Sequence, residues 1–267
     1  MGWKDVFGYA RKMAADKGVG DATRPDDGAP LGARVGSIVG LQRSPIIRAQ
    51  ANGSLIAMPG DGDTRVLALS QLRLQPATTL YRLYLATGDT DDKERFLQVL
   101  PREDADDGKD DHGVAELLYC TQIARMIPET LEDQEAFTGS AGYGLGDPGY
   151  TLWREQLAGL LGEAELAGVF GDADRVEYTR DAGNPGAPFV APFTGQEIRI
   201  DDAQGKHGLR QQLYYMPYVR SLQGGGREYL LITTEIVDSV DGDAGRRGIH
   251  VDFVIGIPVE PERVVVQ

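Results

Sequence analysis

Ile249-His-Val251-Asp-Phe253-Val-Ile255-Gly-Ile257-Pro-Val259 places an apolar residue at every second position for eleven residues, with His250 and Asp252 between them. Side chains alternate across a pleated strand, so this spacing predicts a β-strand with one buried face. The neighbouring run Tyr229 to Val237 has the same character, and a Gly- and Asp-containing stretch at 241–245 supplies turn residues between the two. If they pair as a hairpin with their apolar faces together, Leu230, Ile232 and Ile236 share a face with Val251, Phe253, Ile255 and Ile257. Glu235, His250 and Asp252 then fall together on the reverse face. Opposing Glu235 to His250 avoids the like-charge contact with Asp252, and that register is predicted. The trio has the residue types of an acid/base or metal cluster, although a polar outer sheet face is the plainer account.

Outward from this hairpin the chain reads as more sheet. Short apolar runs at 35–41, 46–49, 55–58, 66–69, 80–86 and 96–100 alternate with turn residues and predict an antiparallel meander. The stretch 114–127 suits strand and helix equally. An acidic segment from Pro128 to about Phe137 and a segment from about Thr151 to Phe170, with Trp153, Leu157, Leu160, Leu161 and Leu166, read as helical. Strands return at 176–179, 197–200, 213–219, 229–237, 249–259 and 264–266. Leu80-Tyr81 with Tyr84 and then Arg95-Phe96-Leu97 is echoed by Leu213-Tyr214 with Tyr218 and then Arg227-Glu228-Tyr229-Leu230. Two related β units would explain the echo, and so would the general likeness of hairpins.

The expected fold is therefore α+β, mostly antiparallel sheet. Its expected organisation is an amphipathic helix over 1–17, a linker over 18–30, a β-rich unit over 31–127, a helical and Gly-rich connection over 128–171, and a second β-rich unit over 172–267. In the first helix Trp3, Val6 and Phe7 share one side with Ala10 and Met13, while the basic residues lie mostly elsewhere. That helix either docks on the core or serves as a partner- or membrane-surface contact through Trp3, Val6 and Phe7.

Composition narrows the function classes. A chain of 267 residues with a net charge of −14 repels phosphate backbones, so nucleic acid is not an expected partner. No run is long enough to span a bilayer as a helix and no leader pattern opens the chain, which makes a cytoplasmic location the expectation, with at most peripheral membrane contact through 1–17. The single cysteine, Cys120, excludes an intrachain disulfide and a multi-cysteine zinc site; its apolar neighbours predict a buried, inert thiol.

Motifs are weak. Gly144-Leu-Gly146-Asp-Pro-Gly149 matches G-x-G-x-x-G, but a polar segment precedes it where a dinucleotide site needs a buried strand, so it is read as a flexible loop. The acidic stretch 102–113 lacks the ligand register of a calcium loop and is read as solvated. His112, His207 and His250 form no zinc-binding spacing, and neither a G-x-S-x-G elbow nor a phosphate loop occurs. No cofactor or metal is expected.

Several strings resemble a known family: Leu31-Gly-Ala-Arg-Val-Gly-Ser, Arg95-Phe-Leu-Gln-Val, Glu197, Leu213-Tyr214 and Glu228-Tyr229-Leu230-Leu231. They look like the bacterial YjfK-like family of uncharacterised proteins, over most of the chain from Leu31 onward. The family's motifs are structural and carry no catalytic residues across. Its members are often encoded beside phage-shock-type membrane-remodelling proteins, which implies a role in envelope stress. The leading expectation is thus a non-enzymatic accessory protein that binds a protein partner, a phage-shock-type membrane-remodelling homologue being the implied one. The alternative is an enzyme or small-ligand-binding protein with a pocket between two β units, which a cavity with convergent polar groups would favour.

Overall fold

The computed structural model describes residues 26, 28–76, 78–88, 93–102, 113–158, 162–237 and 248–267. Trp3, Val6 and Phe7, the rest of the expected first helix, and residues 103–112 of the acidic stretch lie outside the described residues.

Four consecutive strands come from the first half, β2 (Thr64–Gln75), β3 (Thr78–Leu85), β4 (Arg95–Pro101) and β5 (Val114–Met126), and four from the second, β8 (Phe193–Ile200), β9 (Gly208–Ser221), β10 (Arg227–Val237) and β11 (Gly248–Pro258). Within each set neighbours pair antiparallel. The first strands of the two sets also pair, β2 with β8, and so do the last, β5 with β11. These two seams close an eight-stranded antiparallel barrel.

This overturns the α+β expectation, because the fold is all-β in its architecture. The two β-rich stretches do not form separate sheets; each contributes half the staves of one barrel. The echoed strings fall in β3 and β4 and in β9 and β10, the second and third strand of each set. Helices are short and lie on the barrel's outside: α1 (Ser44–Ala51), α2 (Leu131–Thr138), α3 (Arg154–Leu157) and α4 (Glu163–Phe170). The expected helix over 151–170 is interrupted. Its start belongs to β6 (Gly149–Trp153), which pairs with β7 (Arg175–Arg180). Conversely, the apolar run 46–49 is helix, not strand, because Pro45 suits the first turn of α1 and Ile46 and Ala49 sit three apart on its buried side. The ambiguous stretch 114–127 is strand, and the acidic piece is helix α2, closed by a capping box between Thr130 and Asp133.

The apolar face of the quoted strand points out of the barrel. Val251, Phe253, Ile255 and Ile257 are nonetheless buried, in one cluster with Leu230, Ile232, Met216 and Tyr218 and with residues of the covering segments. The cover includes α1, which packs on β11, and the β6–β7 pair. Phe253 meets Phe137 of α2 edge-on with ring centroids 6.0 Å apart, and Tyr150 of β6 at 5.8 Å. Fully burying one such side chain stabilises the fold by about 1.5–3 kcal/mol. Two short strands, β1 (Ile38–Leu41) and β12 (Val264–Val266), pair with each other and extend the sheet from the start of β2.

A buried carboxylate ties the cover to the barrel. Glu228 accepts from Ser54 Oγ, from Leu55 N at 2.7 Å, from Tyr178 Oη at 2.6 Å and from Arg220 Nε at 2.6 Å. The segment after α1, β7 and β9 thus converge on one side chain of β10.

Candidate functional site

Strand parity decides what fills the barrel. Even residues of β2 from Ala68 on, of β3 and β4, of β5 from Glu116 to Gln122 and of β11 point inward, as do odd residues of β8 to β10; the direct pairs Leu72↔Glu197, Thr233↔Asp252 and Val254↔Gln122 keep this consistent, and a bulge after Gln122 shifts β5 so that the odd residue Arg125 stands opposite Asp252. An eight-stranded barrel has an interior just wide enough to be filled by side chains or to hold one small ligand. Here the two ends differ.

One end is polar. Arg82 of β3 is buried, with Nη2 donating to Thr233 Oγ1 at 3.1 Å, Nη1 3.8 Å from both Glu197 and Glu235, and its guanidinium 5.0 Å from the Phe96 ring centroid. Glu197 accepts from Tyr84 Oη at 3.1 Å and from Gln211 Nε2 at 2.8 Å. Asp252 accepts from Gln122 Nε2 at 2.8 Å and takes two bonds of 2.6 Å from Arg125, a bidentate pair. His250 Nε2 lies 3.0 Å from Glu235 Oε2. Burial alone would lower the Arg82 pKa, but Tyr84, Glu197 and Glu235 hold it above its ordinary value. Burial raises the Glu235 pKa against the opposing His250 hydrogen bond, and Glu197 and Asp252 add to the rise.

The expected register is the observed one, Glu235 opposite His250 and Thr233 opposite Asp252. The expected outer face is not. Glu235 and Asp252 are each 4% exposed and line the barrel interior. The alternation separates two faces of a strand, and closure of the barrel decides which of them meets water. Within the barrel these groups are mutually satisfied by Arg82, Arg125 and Gln122, which accounts for three acidic and one imidazole side chain in so small a space. Among the described residues no group of three or more His, Cys, Asp or Glu is placed to hold a metal ion.

The opposite end is a cup. A cavity of about 170 Å³ is lined by Leu74, Thr78, Leu80, Gln98, Leu100, Glu116, Leu118, Asp181, Phe193, Tyr215, Pro217, Tyr229 and Leu231, so seven of the eight staves contribute. The remaining stave, β11, places Gly256 on the inner face, where a Cβ would meet Cys120 Sγ and Leu118 Cδ1 at 3.4 Å. The walls are apolar. On the floor Gln98 Nε2 donates to Tyr215 Oη at 3.2 Å, and Gln98 Oε1 faces Arg82 Nε at 3.4 Å, which links the cup to the polar end. At the rim Tyr229 Oη donates to Glu116 Oε1 at 3.2 Å, and Asp181 is exposed. Burial and the nearby Glu116 push the Tyr229 pKa up to about 12. Leu100, Glu116, Phe193 and Pro217 are only partly buried, so the cup opens to solvent on this side.

Sequence reasoning carried a pocket between two β units only as the alternative and named none of the cup's residues as its lining. Its signal is faint: Leu74, Leu80, Leu100, Leu118 and Leu231 look like ordinary core positions until the closure of the ring gathers them.

Residues 144–148 form a loop and Gly149 opens β6, and the loop's N–H groups are occupied within the fold. Gly144 N donates to Asp147 Oδ2 and Gly146 N to Tyr218 Oη, each at 3.0 Å. Arg180 donates to the carbonyls of Gly146, Ala182, Asn184 and Ala187, binding the loop to the segment after β7. Phosphate binding there has no free donor set to use. Cys120 is buried in the barrel interior, and burial pushes its thiol up to about 12. No helix among the described residues is long and apolar enough to cross a membrane.

Comparison with protein-family models, with curated proteins and with solved structures finds no match to this chain.

Proposed function

We propose that the protein binds a small, largely apolar molecule in the cup at one end of the barrel. The reading rests on one observation, a cavity walled by leucines, Phe193 and Tyr215 and bordered by two hydrogen-bonded pairs, Gln98 with Tyr215 and Glu116 with Tyr229. An apolar site with a few convergent polar groups is the usual form of a small-molecule pocket. Size agrees too: a dry cavity of roughly 150 Å³ accepts benzene, so about 170 Å³ suits a ring or a short chain. The polar end, where Glu197, Glu235 and Asp252 surround Arg82 and Arg125, fills its part of the interior with side chains and leaves the cup to a ligand. The protein-partner reading with a phage-shock-type homologue has only the resemblance and Trp3, Val6 and Phe7 behind it.

The test is titration with benzyl alcohol, followed through the methyl NMR signals of Leu74, Leu80 and Leu118. Saturable shifts confined to these leucines are expected, and their loss in Leu100→Trp, which fills the rim. Shifts that never saturate, or that persist unchanged in Leu100→Trp, overturn the reading.

A further inference from the structure

We infer that the molecule held in the cup carries a positive charge, as a small organic amine does; this rests on the reading of the cup as a ligand site. Among the described residues, the only ionisable side chains lining the cavity besides the two tyrosines are carboxylates, Glu116 and Asp181. Both stand at the open rim, above apolar walls, so a ligand that puts its apolar body on the leucines brings its head group to them. Tyr229 donates to Oε1 of Glu116, which orients that carboxylate and leaves Oε2 available to a second donor. None of the described basic residues lines the cavity. Arg227 lies over the Tyr229 ring, 5.6 Å from its centroid, and Arg102 donates to the Val114 carbonyl.

The surrounding field acts in the same direction. A net charge of −14 concentrates cations near the surface and repels anions, and an acidic mouth above a low-dielectric wall focuses that preference. A carboxylate ligand would meet Glu116 and Asp181 with no cation among the described lining residues to offset them. A neutral ligand would lack the ionic contact.

Benzylamine, benzyl alcohol and benzoate share one ring and differ in head-group charge at pH 7. Titrated into the full-length protein at low salt, with the same leucine methyl signals as readout, benzylamine is expected to bind about fivefold more tightly than benzyl alcohol, and benzoate more weakly than either. Glu116→Gln should bring benzylamine close to benzyl alcohol by weakening the amine far more than the alcohol, and added salt should weaken only the amine. Equal or tighter binding of the alcohol or of benzoate overturns the inference while the cup remains a ligand site. Failure of all three probes to shift the leucine signals overturns the cup reading, and the inference with it. Should Glu116→Gln lower the protein's stability, Asp181→Asn at the exposed side of the rim gives the same comparison.

Discussion

Glu235 and His250 stand directly opposite each other on β10 and β11, with His250 Nε2 3.0 Å from Glu235 Oε2, and both face the inside of a closed barrel. Around them Arg82 and Arg125 face three carboxylates, those of Glu197, Glu235 and Asp252. A further cation of this end, Arg199, is taken by Glu94 at 2.7 Å and Asp201 at 2.8 Å. Among the described residues of this cluster one buried negative charge is therefore in excess when Glu197, Glu235 and Asp252 are all ionised and His250 is neutral.

A pH-dependent stability follows from that excess. Burial, Glu197 and Asp252 raise the folded-state pKa of Glu235 above its ordinary value of 4.5. The folded chain therefore holds this proton more tightly than the unfolded chain does. The resulting stabilisation is complete below the ordinary pKa and is lost as pH rises through the raised one. Subtracting the pH–stability curve of Glu235→Gln from that of the unaltered protein should show this loss with rising pH. A flat difference, or one of the opposite sign, would show that the excess charge is relieved elsewhere.

The parity of this hairpin was legible because β10 and β11 are neighbours in sequence and each has a strong period-two pattern. The meanders were legible for the same reason. What could not be read was closure. The β2–β8 seam joins Leu72 to Glu197 and the β5–β11 seam joins Tyr119 to Ile257, partners separated by more than half the barrel's sequence, and no local pattern encodes them. Without closure, an alternating strand has one apolar face and one polar face, and the polar one is naturally assigned to water. Here the apolar face lies outside, under the covering segments, and the polar face is inside. The short helices were misplaced at their edges for a related reason: Leu152 and Leu157 have core spacing in either conformation, and it is pairing with β7 that makes the first of them strand.

Replacing Glu228 tests how the cover is attached. This carboxylate is 0% exposed and takes four donors from three separate segments. Glu228→Gln keeps the shape but removes the charge, leaving the Arg220 guanidinium without its buried counter-ion. Breaking one side of such a pair costs about 3–5 kcal/mol. Urea denaturation should show a loss of unfolding free energy of that size, and a change under about 1 kcal/mol would mean that Arg220 relaxes to solvent at little cost.

Gly146 is expected to resist any side chain. Its φ is +122°, and a Cβ built there would lie 2.2 Å from the Val190 carbonyl oxygen and 2.9 Å from Phe189. Gly146→Ala must therefore strain the backbone and separate two segments that Arg180 holds together. A loss of about 1–3 kcal/mol is expected for the strain. The control is Gly142→Ala, which also has positive φ but nothing within 4 Å of the new Cβ. Thermal melting should place Gly146→Ala clearly below Gly142→Ala, and equal melting temperatures would remove the packing part of the argument.

Cys120 reports on the barrel interior itself. Its side chain is 0% exposed, lies across from Gly256, and is pushed up to about 12 by burial. Alkylation needs both access and thiolate, and the folded barrel withholds both. Iodoacetamide at neutral pH should thus label the native protein only slowly and should label it fully in denaturant. With the thiol reached through opening of the barrel, the native-state labelling rate should track global stability, falling when denaturant is withdrawn and rising in Glu228→Gln. Rapid labelling at native pH with unchanged near-UV circular dichroism would instead mean that the interior beneath the cup opens locally.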